Sequence, residues 1–185
     1  KIEAENVYAE LDRMAPKDPT GILVLPHFAG AATPYMDSGS RAAMIGLTLE
    51  HTAAYLYKAL MEGVTYEIMT NVERLEMANI APRELYATGG GSKSDVWMQI
   101  KADITGLPVH TLRNPEAGAV GCIMLGAVAG GYYKDLYEAS EALVRIKDTY
   151  EPNPAMHEAY AVHYERYCRM YDAVKTIYGL ENPYK

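Results

Sequence analysis

Leu85-Tyr86-Ala87-Thr88-Gly89-Gly90-Gly91-Ser92-Lys93-Ser94-Asp95 is a short apolar run that breaks into three glycines and restarts as a helix. The apolar residues suit a strand. The glycines carry no Cβ where the chain must turn sharply. Ser94 or Asp95 can cap a helix that continues through Ile104, because a short oxygen-bearing side chain satisfies one of the free N–H groups of the first turn. A strand, a bare glycine turn and a helix N-terminus together point backbone N–H groups and the helix dipole at one spot, which is a place for phosphate. The plain alternative is an ordinary strand-to-helix turn.

Upstream of this stretch, Ile2, Val7 and Leu11 have helical spacing and predict a helix over residues 1–14, ended by Pro16. Residues 21–26, Gly-Ile-Leu-Val-Leu-Pro, read as a strand that runs into a long loop over residues 27–41 with Gly30, Pro34 and Gly39. Loops of that length inside a domain are usually functional. From Thr48, apolar residues at Leu49, Ala53, Leu56, Leu60, Val64, Ile68, Val72 and Leu75 predict a long helix with a core-facing stripe. Gly63 in the middle of it implies either a kink or a neighbour that packs very close. Pro82 closes the segment and residues 83–88 form the strand of the opening stretch.

Downstream, Gly106 ends the helix, residues 108–111 read as a strand, residues 116–131 as a third helix, and residues 135–146 as a fourth. The third helix is dense in small residues, and its Gly126 and Gly130 form a GxxxG pair; it reads as a buried helix. After Pro152 and Pro154, one final helix carries Met156, Tyr160, His163, Tyr167, Met170, Val174 and Ile177 on one face, with Tyr164, Tyr171 and Tyr178 as a second seam. That face is expected to pack onto the domain, with a homodimeric coiled coil as the alternative. Strands alternating with helices predict an α/β fold, rich in helix, around a mostly parallel sheet.

At 185 residues the chain is long enough for a substantial core. A formal net charge of -7 argues against a phosphate-backbone interface with nucleic acid, which needs a basic face. The longest uncharged stretch, residues 117–133, is shorter than the ~20 residues of a membrane span, so no membrane partner is expected. No apolar leader is visible in residues 1–13, and a first residue other than methionine hints at a piece of something longer. The two cysteines, Cys122 and Cys168, read as buried side chains of a reducing, cytoplasmic compartment.

Three common templates are missing: the GxxxxGK[ST] P-loop, GxGxxG and GxSxG. His27, His51, His110, His157 and His163 have no metal-ligand spacing, so no protein metal site is expected. His110 and His163 are the histidines closest to a ligand-binding reading, with a satisfied structural role as the plainer one.

The segment Thr88-Gly89-Gly90-Gly91-Ser92-Lys93-Ser94 is followed by Trp97-Met98-Gln99, Ala102-Asp103 and Gly106-Leu107-Pro108-Val109, then Glu116-Ala117-Gly118-Ala119-Val120-Gly121. It is preceded by Leu25-Pro26-His27-Phe28-Ala29-Gly30, Thr33-Pro34, Asp37, Arg41, Gly46-Leu47-Thr48, His51, Ala59-Leu60 and Glu62-Gly63. In that order these motifs resemble the FGGY carbohydrate kinases, relatives of xylulokinase and glycerol kinase. The resemblance implies that residues 1–185 are a helix-rich fragment of an actin-like, ribonuclease H-like ATPase domain, the C-terminal nucleotide-binding domain of a sugar kinase. ATP would lie in a cleft between two domains, with Mg²⁺ as the metal, and its γ-phosphoryl would pass to a sugar or polyol hydroxyl. Such chemistry rests on positioning and charge stabilisation.

Carried over by position, Gly89, Gly90 and Gly91 would pass beside the phosphates and ribose, and Ser94 would stand where relatives often place an asparagine near the adenine. The family often has Gly-Glu-Arg before Thr-Pro, whereas this chain has Gly30-Ala31-Ala32-Thr33-Pro34. The resemblance also implies that the sugar-binding domain, the catalytic aspartate and the start of this domain lie upstream of the matched region. No catalytic residue is therefore assigned here, and neither Asp37 nor Asp103 is taken as the base. The rival reading is a non-catalytic structural or oligomerisation module, a homo-oligomer built on the tyrosine seam. A flavin or nicotinamide enzyme lacks its fingerprint.

Overall fold

A computed structural model describes residues 7–178. In chain order its elements are α1 (Val7–Met14), β1 (Leu23–Leu25), β2 (Ala43–Ile45), α2 (Ala53–Met77), β3 (Leu85–Ala87), α3 (Asp95–Thr105), β4 (Val109–Leu112), α4 (Ala117–Ala129), α5 (Leu136–Leu143), β5 (Ile146–Tyr150), α6 (Pro154–Tyr167) and α7 (Met170–Tyr178), with a 3₁₀ turn at Gly90–Lys93. The first helix is present over Val7–Met14, and positions 1–6 of its expected span lie outside the described residues.

α2 is the axis of the molecule. It starts at Ala53 rather than Thr48, because the Thr48 N–H is drawn to Nδ1 of His51 at 3.0 Å in a local turn that competes with the helix; Leu49 is left exposed. α2 runs unbroken through Gly63, where a Cβ would fall 2.3 Å from the carbonyl oxygen of Val24 on β1. Of the two readings of that glycine, the close neighbour is the one that holds. One turn earlier, Lys58 and Glu62 are both buried and lie 3.6 Å apart. Lys58 Nζ donates to the carbonyls of Pro16, Lys17 and Asp18 at 2.8–3.1 Å. Glu62 accepts from the backbone and hydroxyl of Thr20 and from Tyr160 at 3.2 Å. Burial pushes the Glu62 carboxyl up and the Lys58 ammonium down from their ordinary values, so the pair specifies how the 16–20 segment, α2 and α6 meet rather than adding much stability.

The strands do not form one mostly parallel sheet. β1 and β2 make an antiparallel pair, with Leu23 opposite Ile45 and Leu25 opposite Ala43. β3 and β4 are parallel, and β5 adds to β4 antiparallel, in the order β3-β4-β5. β2 and β5 are additions to the expected elements. β2 is apolar, Ala43-Met44-Ile45, but only three residues long, too short for a strand signal, and β5 carries Lys147 and Asp148 and is largely exposed, so it lacks the apolar run of a covered strand. Consequently the fourth helix ends at Leu143 rather than at Ile146.

The main core is built from α2, α3, α6 and α7: Met61, Tyr66, Ile100, Ile104, Tyr160, Tyr167, Met170 and Val174 pack together with Leu25 of β1. The face that carries Tyr160 and Tyr167 is therefore interior; of the second seam, Tyr164 and Tyr171 pack partly buried against it, whereas Tyr178, like Ile177, is exposed. The last helix is two helices, α6 and α7, separated at Cys168 and Arg169, where the Arg169 N–H bonds Arg166 at 3.2 Å in a tighter i→i+3 turn. Two further corrections concern burial. α4 has no buried residue, and Gly118, Gly121 and Gly126 each face open space, so its small residues do not seat it against another backbone. Cys122 and Cys168 are both free and exposed. Among the described residues no helix is long and apolar enough to cross a membrane.

Candidate functional site

The glycine turn lies between the C-terminal end of β3 and the start of α3. The parallel β3-β4 pair brings the loop after β4 alongside it, and the Gly89 N–H donates to Pro115 at 2.9 Å. Gly89 has φ +76°, a left-handed conformation that favours glycine, and it turns the chain out of the strand. Its carbonyl then accepts from the Ser92 N–H at 3.2 Å and the Ser92 hydroxyl at 2.7 Å, which closes the 3₁₀ turn. Ser94 follows as the N-cap of α3: its Oγ accepts from the Trp97 N–H at 3.1 Å and its carbonyl from the Met98 N–H at 3.0 Å. Of the two capping candidates it is Ser94 that acts, and Asp95 instead accepts from the Tyr150 hydroxyl at 2.6 Å. α3 ends at Gly106, where φ is +67°.

The three glycines are not equivalent. A Cβ on Gly89 or Gly90 would meet nothing within 4 Å, so the turn presents open space there. On Gly91 it would lie 2.7 Å from Cζ3 of Trp97. Among the described residues, the N–H groups of Gly90 and Gly91 have no backbone or side-chain acceptor. The sequence-expected group Gly89, Gly90, Gly91 and Ser94 is thus one continuous turn with two unspent donors, an open side, and the positive end of an eleven-residue helix directly behind it. That donor set fits the phosphate-rich part of a nucleotide.

The remaining candidates fall elsewhere. Asp103 is buried and accepts from Gln99 and from the Asn153 N–H, both at 2.8 Å, which ties α3 to the start of α6. His110 is held by Thr149 at 2.8 Å and Glu84 at 3.2 Å, in a structural role. His163 is half-buried beside Gly21. Asp37 accepts from Tyr171 at 2.9 Å. No group of three or more His, Cys, Asp or Glu side chains among the described residues is placed to hold a metal ion. Sequence reasoning had no role for Thr65 or for the carbonyl of Pro115. Thr65 lies off the apolar stripe read from the sequence, yet it is buried in α2, and a backbone carbonyl has no sequence signal at all.

The model of the FGGY family of carbohydrate kinases, C-terminal domain, matches residues 1–130. The xylulose kinase of Staphylococcus epidermidis is 31% identical over 157 residues, covering 85% of this chain and 32% of the relative. The autoinducer-2 kinase of Escherichia coli is 33% identical over 160 residues, covering 84% of this chain and 30% of the relative. Among solved structures, the xylulose kinase of Rhodospirillum rubrum superposes with a TM-score of 0.81 at 31% identity, covering 96% of this chain and 36% of the other. The chain spans about a third of the length of the curated relatives it matches. Its α/β fold is that of the matching part of these actin-like ATPases, as expected from the motif order. The chain belongs to the FGGY family of carbohydrate kinases, of which it carries the C-terminal domain.

Proposed function

We propose that this chain is the ATP-binding half of a cytoplasmic carbohydrate kinase that transfers the γ-phosphoryl of ATP to a sugar or polyol hydroxyl. The observation that carries this reading is the pair of unspent N–H donors at Gly90 and Gly91, set ahead of the Ser94-capped helix in a member of this kinase family. In this reading Gly89 and Gly90 give the nucleotide room, Gly90 and Gly91 donate to phosphate oxygens, and the Ser94 hydroxyl keeps a proton to donate beside the base. Mg²⁺ would come with the phosphates, whose charge it neutralises during transfer. The sugar-reading residues and the aspartate base belong to the larger kinase, so nucleotide binding without turnover is the expected behaviour of these 185 residues.

Titration with MgADP and MgATP, followed by the melting temperature, tests this. Ligand at ten times its Kd stabilises by about 1.4 kcal/mol. Gly90→Asp puts a carboxylate into open space on the turn: it should leave the ligand-free melting temperature unchanged and abolish the nucleotide-dependent rise. A melting temperature indifferent to millimolar nucleotide, or Gly90→Asp responding as the unmodified chain does, defeats the reading.

A further inference from the structure

Gly91 is the crowded member of the turn, and Trp97 is what crowds it. The six-membered ring of the indole lies against the Gly91 backbone, with Cζ3 2.7 Å and Cε3 3.1 Å from a Cβ placed there. The same indole is anchored at its far side: Nε1–H donates to Thr65 Oγ1 on α2 at 3.2 Å, and the Thr65 hydroxyl donates to the Met61 carbonyl at 2.7 Å. Thr65 is wholly buried, so that anchor has no water to compete with it. Trp97 also takes the Lys101 ammonium over its ring at 4.5 Å, and its own backbone N–H is the one that Ser94 caps. The indole therefore joins three things: the cap of α3, the core helix α2, and the backbone of Gly91 with its unspent donor.

We propose that Trp97 is a positioning residue for the nucleotide, acting through Gly91. Resting on the nucleotide reading of the glycine turn, the assignment is that the Thr65-anchored indole sets where the Gly90 and Gly91 N–H groups point. A buried indole N–H needs an acceptor wherever it sits; what links this one to the turn is that the same ring is fixed at Thr65 on one side and meets Gly91 on the other. Loss of the Thr65 anchor lets the ring tilt, and the two donors move with it.

The coupling is measured in the whole 185-residue chain with Gly91→Ala, Trp97→Phe, the double variant and Thr65→Val. Phenylalanine lacks the outer ring atoms that a Cβ on residue 91 would meet. Gly91→Ala should therefore weaken ADP binding by at least tenfold with Trp97 in place and by less than threefold in the Trp97→Phe background. Calorimetry reads the affinity. Amide exchange at Ser94, whose N–H bonds the Gly91 carbonyl at 3.3 Å, reads the turn with no ligand present. Exchange there should show the same non-additivity and should quicken in Thr65→Val. Trp97 is the single tryptophan of the chain, so its emission should change on ADP addition, and that response should be weaker in Thr65→Val. Equal effects of Gly91→Ala in both backgrounds, in affinity or exchange, overturn the proposal. Coupled exchange without any ADP binding refutes the nucleotide reading and reduces Trp97 to a packing residue, which overturns the proposal by a separate route.

Discussion

Glycine serves two opposite purposes in this chain, and the residue scale is where they part. Gly90 faces open space, whereas Gly63 and Gly91 leave space that the protein itself fills. At Gly63 the neighbour is backbone: the Val24 carbonyl of β1, 2.3 Å from where a Cβ would sit, with Val24 Cβ at 2.8 Å. Alanine in mid-helix would ordinarily gain ~1 kcal/mol over glycine. Here β1 would have to withdraw from α2, and overpacking of that kind costs about 1–3 kcal/mol, more where backbone must move. The clash wins, and Gly63→Ala should lower the free energy of unfolding by about 2 kcal/mol, seen as a lower urea midpoint. An unchanged midpoint would mean that β1 rides on α2 more loosely than this geometry allows.

At the scale of elements, the 27–41 loop is held by α7. Tyr35 stacks on Tyr171 with ring centroids 3.9 Å apart, and His27 meets both rings edge-on. The Tyr171 hydroxyl donates to Asp37, and the Gly39 N–H donates to the same carboxylate at 2.9 Å. The Tyr171 bond first, and that from Gly39 after it, hold the Asp37 carboxyl below its ordinary value, while burial lifts the Tyr35 phenol to about 12. A depressed carboxyl binds its proton less readily folded than unfolded. Its contribution to stability is present above the ordinary aspartate value and is lost as the pH falls through the depressed one. The protection of the residue 31–40 amides, relative to their intrinsic exchange rates at each pH, should therefore fall on acidification through that window, and Tyr171→Phe should already show the low protection at neutral pH. The elements least visible in the sequence are β2 and β5. Local chemistry was enough for the Ser94 cap, the Gly106 stop and the strands on either side of the glycine turn, because each depends on a few adjacent residues. β2 escaped notice because an apolar run of three residues is too short to signal a strand, and β5 because antiparallel edge pairing needs no covered apolar run. The roles of Trp97, Thr65 and Asp37 escaped because their partners lie 32 or more residues away in sequence.

At the scale of the molecule, α4 packs on one side against α5 and leaves its other face uncovered among the described residues. Its thirteen residues, Ala-Gly-Ala-Val-Gly-Cys-Ile-Met-Leu-Gly-Ala-Val-Ala, carry no charge, and such helices are ordinarily interior. Yet Ile123 and Leu125 are 57% and 60% exposed, and only a small cavity of about 110 Å³ separates the other side of α4 from Leu143, Val144 and Arg145. The chain spans about a third of its relatives' length, so a face left bare here is one that further protein surface can cover. A net charge of -7 opposes close approach of two copies, but α4 itself contributes none of it. Burial of exposed apolar area at about 25 cal/mol per Å² then favours self-association of this chain through α4 at high concentration. The double variant Ile123→Lys, Leu125→Lys distinguishes this from internal packing. Both side chains already face water, so the free energy of unfolding should change by no more than about 0.5 kcal/mol. Sedimentation should meanwhile show the concentration-dependent rise in apparent mass replaced by a monomer. A loss of stability of ~2 kcal/mol instead would mean that these side chains pack within the chain, and that α4 is already covered.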